Sequence, residues 1–505
     1  MKRLALMFMA VLLTGASDPW VDAASQDLHG YARALSLDLR GVVPSEAELE
    51  AIEAAGAIDE SMLDEWLESP GFEEQVILEH REQFWNLLDI NLLATRRLNI
   101  RSGTYFNNRR ARYTRLATQT HCGDFEATVD EFNSPVEGSV QINEDGSLSE
   151  GYVWVEPFWA PGTTVKVCAY DAQTHDVTDD GVDCSTSEGF EEQQCGCGPN
   201  MQWCFDNNRE RLIETALVTD LNERVREMLQ AGGDYSRLFD GENMFVNGAS
   251  AHFFRHLVPF AEANYESPVA IEDLPDIPFT ESAYIAAPLK DHHDGILTAP
   301  GWLLRHQTNR GRANRFYGAF LCAEFLPTET ALEGDDPSVL PSPDLQRRSG
   351  CLDCHARLEP WAAYWGRWRE AGARYHSDED IPAFSEECSV CAVTGTSCPD
   401  ICDDYYVTRP SHTDELPYLG WAAVYAFLQD DHSAHPDLGP LGWVDKTSET
   451  ADFGACAVKN ASGWLLNASA SDAQAQEWTA QFQVDGNYRT LVKRIVMSGP
   501  YWGGE

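Results

Sequence analysis

The order of hydrophobic and polar positions predicts helices over the first part of the chain, from about residue 27 to 95. Pro44-Ser45-Glu46-Ala47-Glu48 opens a helix in which Ser45 and Glu48 are spaced as a capping box. After the break at 69–71, a helix is expected from Phe72 to Leu88. Its predicted buried face consists of Phe72, Val76, Phe84, Leu87 and Leu88.

The segment from about 118 to 204 has a different character, because it is rich in Gly, Thr, Asp and Cys. Tyr152-Val153-Trp154-Val155 and the run 163–167 are typical of β-strands. Six of the 14 cysteines of the chain lie in this segment. We interpret it as a small disulfide-stapled β insertion, with a zinc site at Cys195, Cys197 and Cys204 as the alternative.

Helical patterns return after the insertion, over Arg209–Leu229 and Val246–Leu257, near Asn314–Phe325 and along the tail from Tyr418 to Trp502. No repeat of fixed period interrupts them. The pattern therefore predicts a mainly α, multidomain protein with a small disulfide-rich β insertion.

The N-terminus has the features of a secretory signal peptide. Met1-Lys2-Arg3 is basic, Leu4–Leu13 is apolar, and small residues follow at 14–17. The apolar run is too short to span a bilayer, and no later segment is apolar for 18 residues. We therefore expect a periplasmic or secreted protein without a membrane span, with most cysteines in disulfides.

Charge narrows the range of partners. The 505 residues include 36 Lys and Arg against 81 Asp and Glu, a formal net charge of −45. Such a field repels phosphate backbones and anionic membrane surfaces, so nucleic-acid binding is not expected. It serves solubility or, alternatively, docking of a more basic partner protein.

One motif carries a specific chemistry. Cys351-Leu352-Asp353-Cys354-His355 is a Cys-x-x-Cys-His sequence, the attachment signature of c-type haem. Two thiols at this spacing can each add to a vinyl group of one porphyrin, and the adjacent imidazole then ligates the iron. The alternatives are a redox-active or structural disulfide and part of a zinc site. Cys388-x-x-Cys391 is followed by Ala392 and lacks the ligand, so it is interpreted as a disulfide element.

Aromatic residues follow the motif at helical spacing, and we expect them to lie on one helix face. Two roles are open for these residues: they line a haem, or they form the ordinary packed face of a helix. The residues are Trp361, Tyr364, Trp365 and Trp368. The sixth iron ligand is left open among Met497, His306, His376, His412, His432 and His435. His292-His293 is a further, separate metal-binding candidate.

Several segments resemble the planctomycete-type exported cytochrome c domain proteins of unknown function. The run Leu35–Leu49 is similar to their opening Leu-x-Leu-Asp-Leu-x-Gly-x-x-Pro sequence. Asn243–Gly248 and Leu491–Ser498 resemble their middle and C-terminal helical segments, and 351–355 matches their attachment motif. The resemblance implies one covalent haem c, anchored by Cys351 and Cys354 with His355 as axial ligand, but names no substrate. The Cys-rich insertion lies outside it.

These observations predict seven segments. They are a signal peptide (1–24), an N-terminal helical region (25–117), the β insertion (118–204), a helical region (205–275), a haem c module (276–380), a Cys-rich loop (381–410) and a C-terminal helical region (411–505). The expected function is single-electron transfer outside the cytoplasm, with a basic redox partner. The alternatives are a haem-dependent oxidoreductase or peroxidase, and a surface interaction protein that binds through the insertion.

Overall fold

In a computed structural model of the chain, the residues described are 28–85, 87–88, 98–101, 105–107, 120–323, 352–377, 435–448, 450–466, 470–498 and 501. The predicted signal peptide, Cys351 and the Cys-rich loop lie outside these residues. The chain forms two compact units. The first comprises residues up to Glu79, 231–234 and those from Gly454 onward, and the second comprises His80–Gln230 and Tyr235–Phe453.

The first unit is built from amphipathic helices. They are α1 (Leu28–Arg40), α2 (Glu46–Ala55), α3 (Glu60–Leu67), the first part of α4 (Pro70–Phe84), and, from the C-terminal end of the chain, most of α12 (Ala451–Leu465), α13 (Asp472–Asp485) and α14 (Tyr488–Val496). Leu35, Leu63 and Leu491 are fully buried, so these helices share an apolar core.

The predicted capping box is confirmed at the start of α2. The Ser45 hydroxyl accepts from the Glu48 backbone N–H, and the Glu48 carboxylate accepts from the Ser45 backbone N–H. Glu48 also accepts from Arg40 at 2.8 Å and from the Trp66 indole at 2.7 Å. Partial burial raises the pKa of Glu48, but these hydrogen bonds outweigh it and lower the pKa to about 2.

The predicted helix from Phe72 to Leu88 is α4, which ends earlier, at Phe84. Phe72, Val76 and Phe84 are buried as predicted, but Leu87 is 74% exposed and Leu88 is only half-buried. The inclusion of Leu87 in the buried face was therefore wrong. Trp85 adopts a φ of +52°, which an α-helix does not tolerate, so the chain leaves the helical path before Leu87.

The predicted β insertion belongs to a six-stranded sheet. The first two strands lie at 99–107, so the predicted boundary at 118 was too late and the expectation of helix up to 117 was wrong there. The strands of the sheet are β1 (Asn99–Arg101), β2 (Tyr105–Asn107), β3 (Thr120–Glu126), β4 (Val140–Ile142), β5 (Leu148–Val155) and β6 (Val165–Cys168). The order is β1-β2-β6-β5-β3, with β4 paired to β5. Strand β5 is antiparallel to β6 and β4 and parallel to β3. Val153 and Val155 are buried while Trp154 is exposed, the alternation expected for a sheet with one covered face.

Three disulfides cross-link the insertion. Cys122–Cys168 joins β3 to the end of β6, and Cys184–Cys195 and Cys197–Cys204 close the loops that follow. The zinc alternative for Cys195, Cys197 and Cys204 is therefore wrong, because each sulfur is bonded to another sulfur. The disulfide-rich character predicted from the sequence is confirmed.

A long helix, α5 (Asn207–Gln230), is central to the second unit. Its buried face includes Leu217, Leu221 and Val225, as the helical pattern predicts. The same face carries an ion pair between Asp220 and Arg224 at 3.0 Å, with both side chains almost fully buried. Asp220 also accepts from the backbone N–H of Phe245 at 2.7 Å, so a charged residue links the helix to a neighbouring strand.

Short elements surround α5. They are α6 (Arg237–Asp240), β7 (Asn243–Val246), α7 (Gly248–His252), β8 (Ile285–Pro288), α8 (Pro300–Arg305) and α9 (Asn309–Phe320). Strands β7 and β8 form an antiparallel ribbon. The predicted helix from Val246 starts later, because Val246 pairs with Ile285 and Asn247 caps α7. A π-helical turn, Phe253–Leu257, follows α7.

The second unit ends with α10 (Leu352–Ala362), a 3₁₀ turn (Ala363–Trp365), α11 (His435–Ser448) and the start of α12. Helix α10 packs against α9, and the 3₁₀ turn packs against α11. No described helix combines the length and the apolar composition that crossing a lipid bilayer requires.

Candidate functional site

The attachment motif lies at the start of α10, of which Cys354 and His355 are half-buried residues. Cys354 shares a helix face with Leu358 and Trp361, because these positions are four and seven residues apart. Trp361 is also half-buried. Cys351 lies outside the described residues, so the structure places two of the three predicted site residues.

Cys354 differs from the other described cysteines. It is a free thiol, whereas Cys122, Cys168, Cys184, Cys195, Cys197, Cys204, Cys322 and Cys456 are disulfide-bonded. The alternative of a local disulfide within the motif is therefore absent from the structure. A thiol half exposed at the start of a helix remains available for covalent chemistry.

The aromatic residues after the motif pack mainly on protein. Trp361 stacks on Trp443 at 5.0 Å between ring centroids, and Tyr317 lies against Trp361 at 4.2 Å. The Trp365 indole donates to the Leu297 carbonyl at 3.0 Å. Tyr364, Trp365 and Trp368 are at most 2% exposed. Three of the four predicted residues thus form a packed core, and Trp361 alone stays half-buried. The expectation that all four share one helix face was wrong, because α10 ends at Ala362 and a 3₁₀ turn follows.

A buried arginine fixes the segment that follows α10. Arg312 on α9 is fully buried and donates to the carbonyls of Trp368, Arg369 and Gly372 at 2.8–3.2 Å. It also donates to the carbonyls of His306 and Leu303 and to the Asn309 side chain. The guanidinium group therefore links the post-motif segment to α9. Its acceptors in that segment are main-chain carbonyls, which do not depend on side-chain identity.

Two histidine candidates for the sixth iron ligand, His306 and His376, have described side chains in the second unit. His306 is buried, and its Nε2 lies 3.2 Å from the Phe84 carbonyl, to which it donates. Burial lowers the pKa of His306 to about 3. His376 is buried directly after the post-motif segment. Met497 belongs to the first unit, and His412, His432 and the His435 side chain lie outside the described residues.

The adjacent His292 and His293 point to different surroundings. His292 is exposed, adopts a φ of +75°, and stacks on Tyr375 at 4.2 Å. His293 is buried, and its Nε2 lies 3.3 Å from a Glu266 carboxylate oxygen. Burial lowers the pKa of His293. Among the described residues, no three His, Cys, Asp or Glu side chains group as a metal-binding cluster.

Glu266 belongs to a polar cavity that the sequence does not reveal. It accepts from the Tyr375 backbone N–H at 2.8 Å and lies 3.6 Å from the Lys290 amine. Burial raises the pKa of Glu266, but His293 and Lys290 together with this hydrogen bond lower it below its ordinary value. Glu266, Lys290 and Tyr375 line a cavity of about 480 Å³ beside β8. Their contacts come from segments distant in sequence, so no local motif marks them.

Ser134 and His175 form a contact that resembles a nucleophile and its base, but the hydrogen bonds give it another role. The Gln173 amide donates to the carbonyls of Tyr170 and Gln193, which turns its oxygen toward Ser134 at 3.0 Å. The Ser134 hydroxyl must donate to that oxygen and therefore accepts from His175 at 2.8 Å. This arrangement orients the histidine and does not activate the serine.

Comparisons of the chain with family models, with curated proteins and with solved structures find no match.

Proposed function

We propose that this chain is an exported c-type haem protein that transfers single electrons outside the cytoplasm. The observation that carries the proposal is the free Cys354 thiol beside His355, in a chain whose other described cysteines are disulfide-bonded. A thiol that stays unpaired in a disulfide-rich protein is in the state that thioether formation requires.

The residue types of the motif at 351–355 suit a covalent haem. The thiols of Cys351 and Cys354 would each add across a vinyl group, with the sulfur bonding to carbon and the proton passing to the other vinyl carbon. His355 would hold the iron through its imidazole, and Trp361 supplies a half-buried aromatic surface on the Cys354 face. When bound, the haem supplies a one-electron couple whose potential depends on its axial ligands.

Disulfides and charge support the location and the partner class. Three disulfides in the insertion fit an oxidising compartment, either periplasmic or extracellular. The net charge of −45 favours docking of a redox protein with a basic face, and this attraction weakens as salt screens it.

The test is to express the full chain with its export sequence in cells that carry c-type haem maturation machinery. Haem staining of a denaturing gel and the mass of the intact chain should show one covalently bound haem. The double variant Cys351→Ser with Cys354→Ser should lose it. The matched control, Cys197→Ser with Cys204→Ser, also removes two sulfurs and should keep the haem.

His355→Ala should leave attachment intact but change the spin state seen in the absorption spectrum, because the thioethers do not involve the imidazole. The proposal is refuted if the wild-type chain carries no haem under these conditions, or if staining persists after both cysteines are replaced. An unchanged spectrum of His355→Ala would refute the ligand assignment alone.

A further inference from the structure

A second cavity lies between the β insertion and the N-terminal half of α5. Its volume is about 640 Å³, within the range of pockets that hold small molecules. Three aromatic residues contribute to its walls, Trp159 from the insertion, Phe279 and Tyr284. Asn208, Asn247 and Ser282 add uncharged polar groups. The cavity thus combines rings with amide and hydroxyl groups.

The polar groups of this cavity still have hydrogen-bonding capacity. Asn247 uses its side-chain oxygen to cap α7, accepting from the backbone N–H groups of Ala249 and Ser250. Its Nδ2 group makes no hydrogen bond to any described residue. The indole N–H of Trp159, a residue only 7% exposed, likewise donates to none of the described residues. Asn208 is exposed at the first turn of α5.

The charges around the cavity disfavour an anionic ligand. Arg209 is the cationic residue of the lining, and its guanidinium is paired with Asp206 at 2.8 Å while it lies over the Trp159 ring. Glu281 also lines the cavity, and the protein as a whole carries −45. An anionic ligand would meet no unpaired cation in the lining and would be repelled by the surrounding field.

From these observations we propose that this cavity binds a neutral carbohydrate of one or two sugar rings. A sugar ring presents apolar C–H faces that pack on apolar side chains, and its hydroxyls both donate and accept hydrogen bonds. Trp159 and Phe279 are almost buried, so the accessible apolar surface of the lining comes mainly from Tyr284 and Leu212. The Asn208 and Asn247 amides and the Ser282 hydroxyl match those hydroxyls, and the exposed Leu212 extends the apolar wall. The proposal is independent of the haem, since none of these residues belongs to the motif.

The test is isothermal titration calorimetry of the mature, exported chain with cellobiose, maltose and N,N′-diacetylchitobiose. At least one of them should bind saturably at millimolar or lower concentration. Asn247→Ser is the decisive variant, because serine caps a helix about as well as asparagine does but offers no amide donor to the cavity. Its affinity should fall about fivefold or more, the loss of one good hydrogen bond, with an unchanged circular dichroism spectrum. Asn208→Ala should also weaken binding.

Trp154→Ala is the matched control, because Trp154 is an exposed aromatic residue of the same insertion that does not line the cavity. Its affinity should equal that of the wild type. The proposal is overturned if none of the three sugars binds, or if Trp154→Ala loses binding while Asn247→Ser keeps it. It is also overturned if 4-hydroxybenzoate, an aromatic anion, displaces the bound sugar and binds more tightly.

Discussion

The β insertion and the post-motif segment are both parts of the second unit, but they are held in place by different forces. The insertion has little helix and is closed by Cys122–Cys168, Cys184–Cys195 and Cys197–Cys204. The post-motif segment, 363–377, is held by Arg312 and by aromatic packing, and the motif cysteine beside it stays reduced. The contrast teaches that disulfides hold the segment that carries no motif, and noncovalent contacts hold the segment beside the free Cys354 thiol.

The largest expected effect comes from removing the Arg312 contacts that hold the post-motif segment. Arg312→Met should lower the free energy of unfolding by about 5 kcal/mol, because it leaves several buried carbonyl oxygens without a donor at about 1–3 kcal/mol each. Urea denaturation measures the change. Arg357→Met, an exposed arginine on α10, is the control and should have little effect. An Arg312→Met protein of wild-type stability would show that the guanidinium contacts do not hold this segment.

Removing single disulfides measures how much each one stabilises the insertion. In the loop-entropy description, removing Cys122–Cys168 by two alanine substitutions should cost about 4 kcal/mol, because that bond closes a 46-residue separation. Removing Cys197–Cys204, which closes a separation of 7, should cost about 2 kcal/mol. Denaturant midpoints of the two variants give the order. Equal losses would mean that loop closure does not determine the stability of the insertion.

Acid should weaken the contact between the insertion and α7. His252 stacks on Phe158 at 3.7 Å and its Nε2 donates to the Gln202 carbonyl. Burial, with a smaller contribution from His256, lowers the pKa of His252 to about 3 from 6.5. Below pH 6.5, His252 is protonated in the unfolded chain but stays neutral in the folded chain. The contribution of His252 to the free energy of unfolding is therefore complete above pH 6.5 and is lost as the pH falls toward 3.

At pH 5 the loss amounts to about 2 kcal/mol, since that pH lies about 1.5 units below the ordinary pKa. His252→Gln should flatten the dependence of unfolding free energy on pH between 6.5 and 4, as measured by urea denaturation at several pH values. Leu217→Ala, a substitution of a buried apolar residue, should lower stability equally at every pH. An undiminished slope in His252→Gln would assign the acid sensitivity to other groups.

The smallest expected effect returns to the post-motif segment. Lys446 donates to the Tyr364 hydroxyl at 2.7 Å, so Tyr364→Phe should cost about 1 kcal/mol. Lys446→Met should remove the same bond, and the double variant should therefore lose less than the sum of the two single losses. Strict additivity in this double-mutant cycle would show that the contact contributes nothing to stability.

Local sequence signals predicted local structure well. Three elements were predictable because each depends on a pattern of residues close together in the sequence: the capping box at Ser45, the strand at 152–155 and the long helix α5. The end of α4 was missed, because nothing in the composition marks Trp85 for a positive φ. The disulfide content was predictable, but its pairing depends on which strands adjoin.

The candidate site was only partly predictable. The motif identified Cys354 and His355, but helical spacing alone did not show that Tyr364, Trp365 and Trp368 would be buried. The change from α10 to a 3₁₀ turn and the packing of Trp443 decide that outcome. The role of Arg312 has no sequence signature, because its acceptors are mainly backbone carbonyls. The cavity lined by Trp159 and Asn247 also has no sequence signature, because its lining comes from segments far apart in the chain.

The bonds made by Arg312 have a consequence for biogenesis. A guanidinium group and carbonyl oxygens associate without an electron acceptor, whereas each sulfur–sulfur bond of the insertion must wait for a thiol oxidase or an equivalent oxidant. The Arg312 contacts of the post-motif segment can therefore form in a fully reduced chain, before any disulfide bond exists.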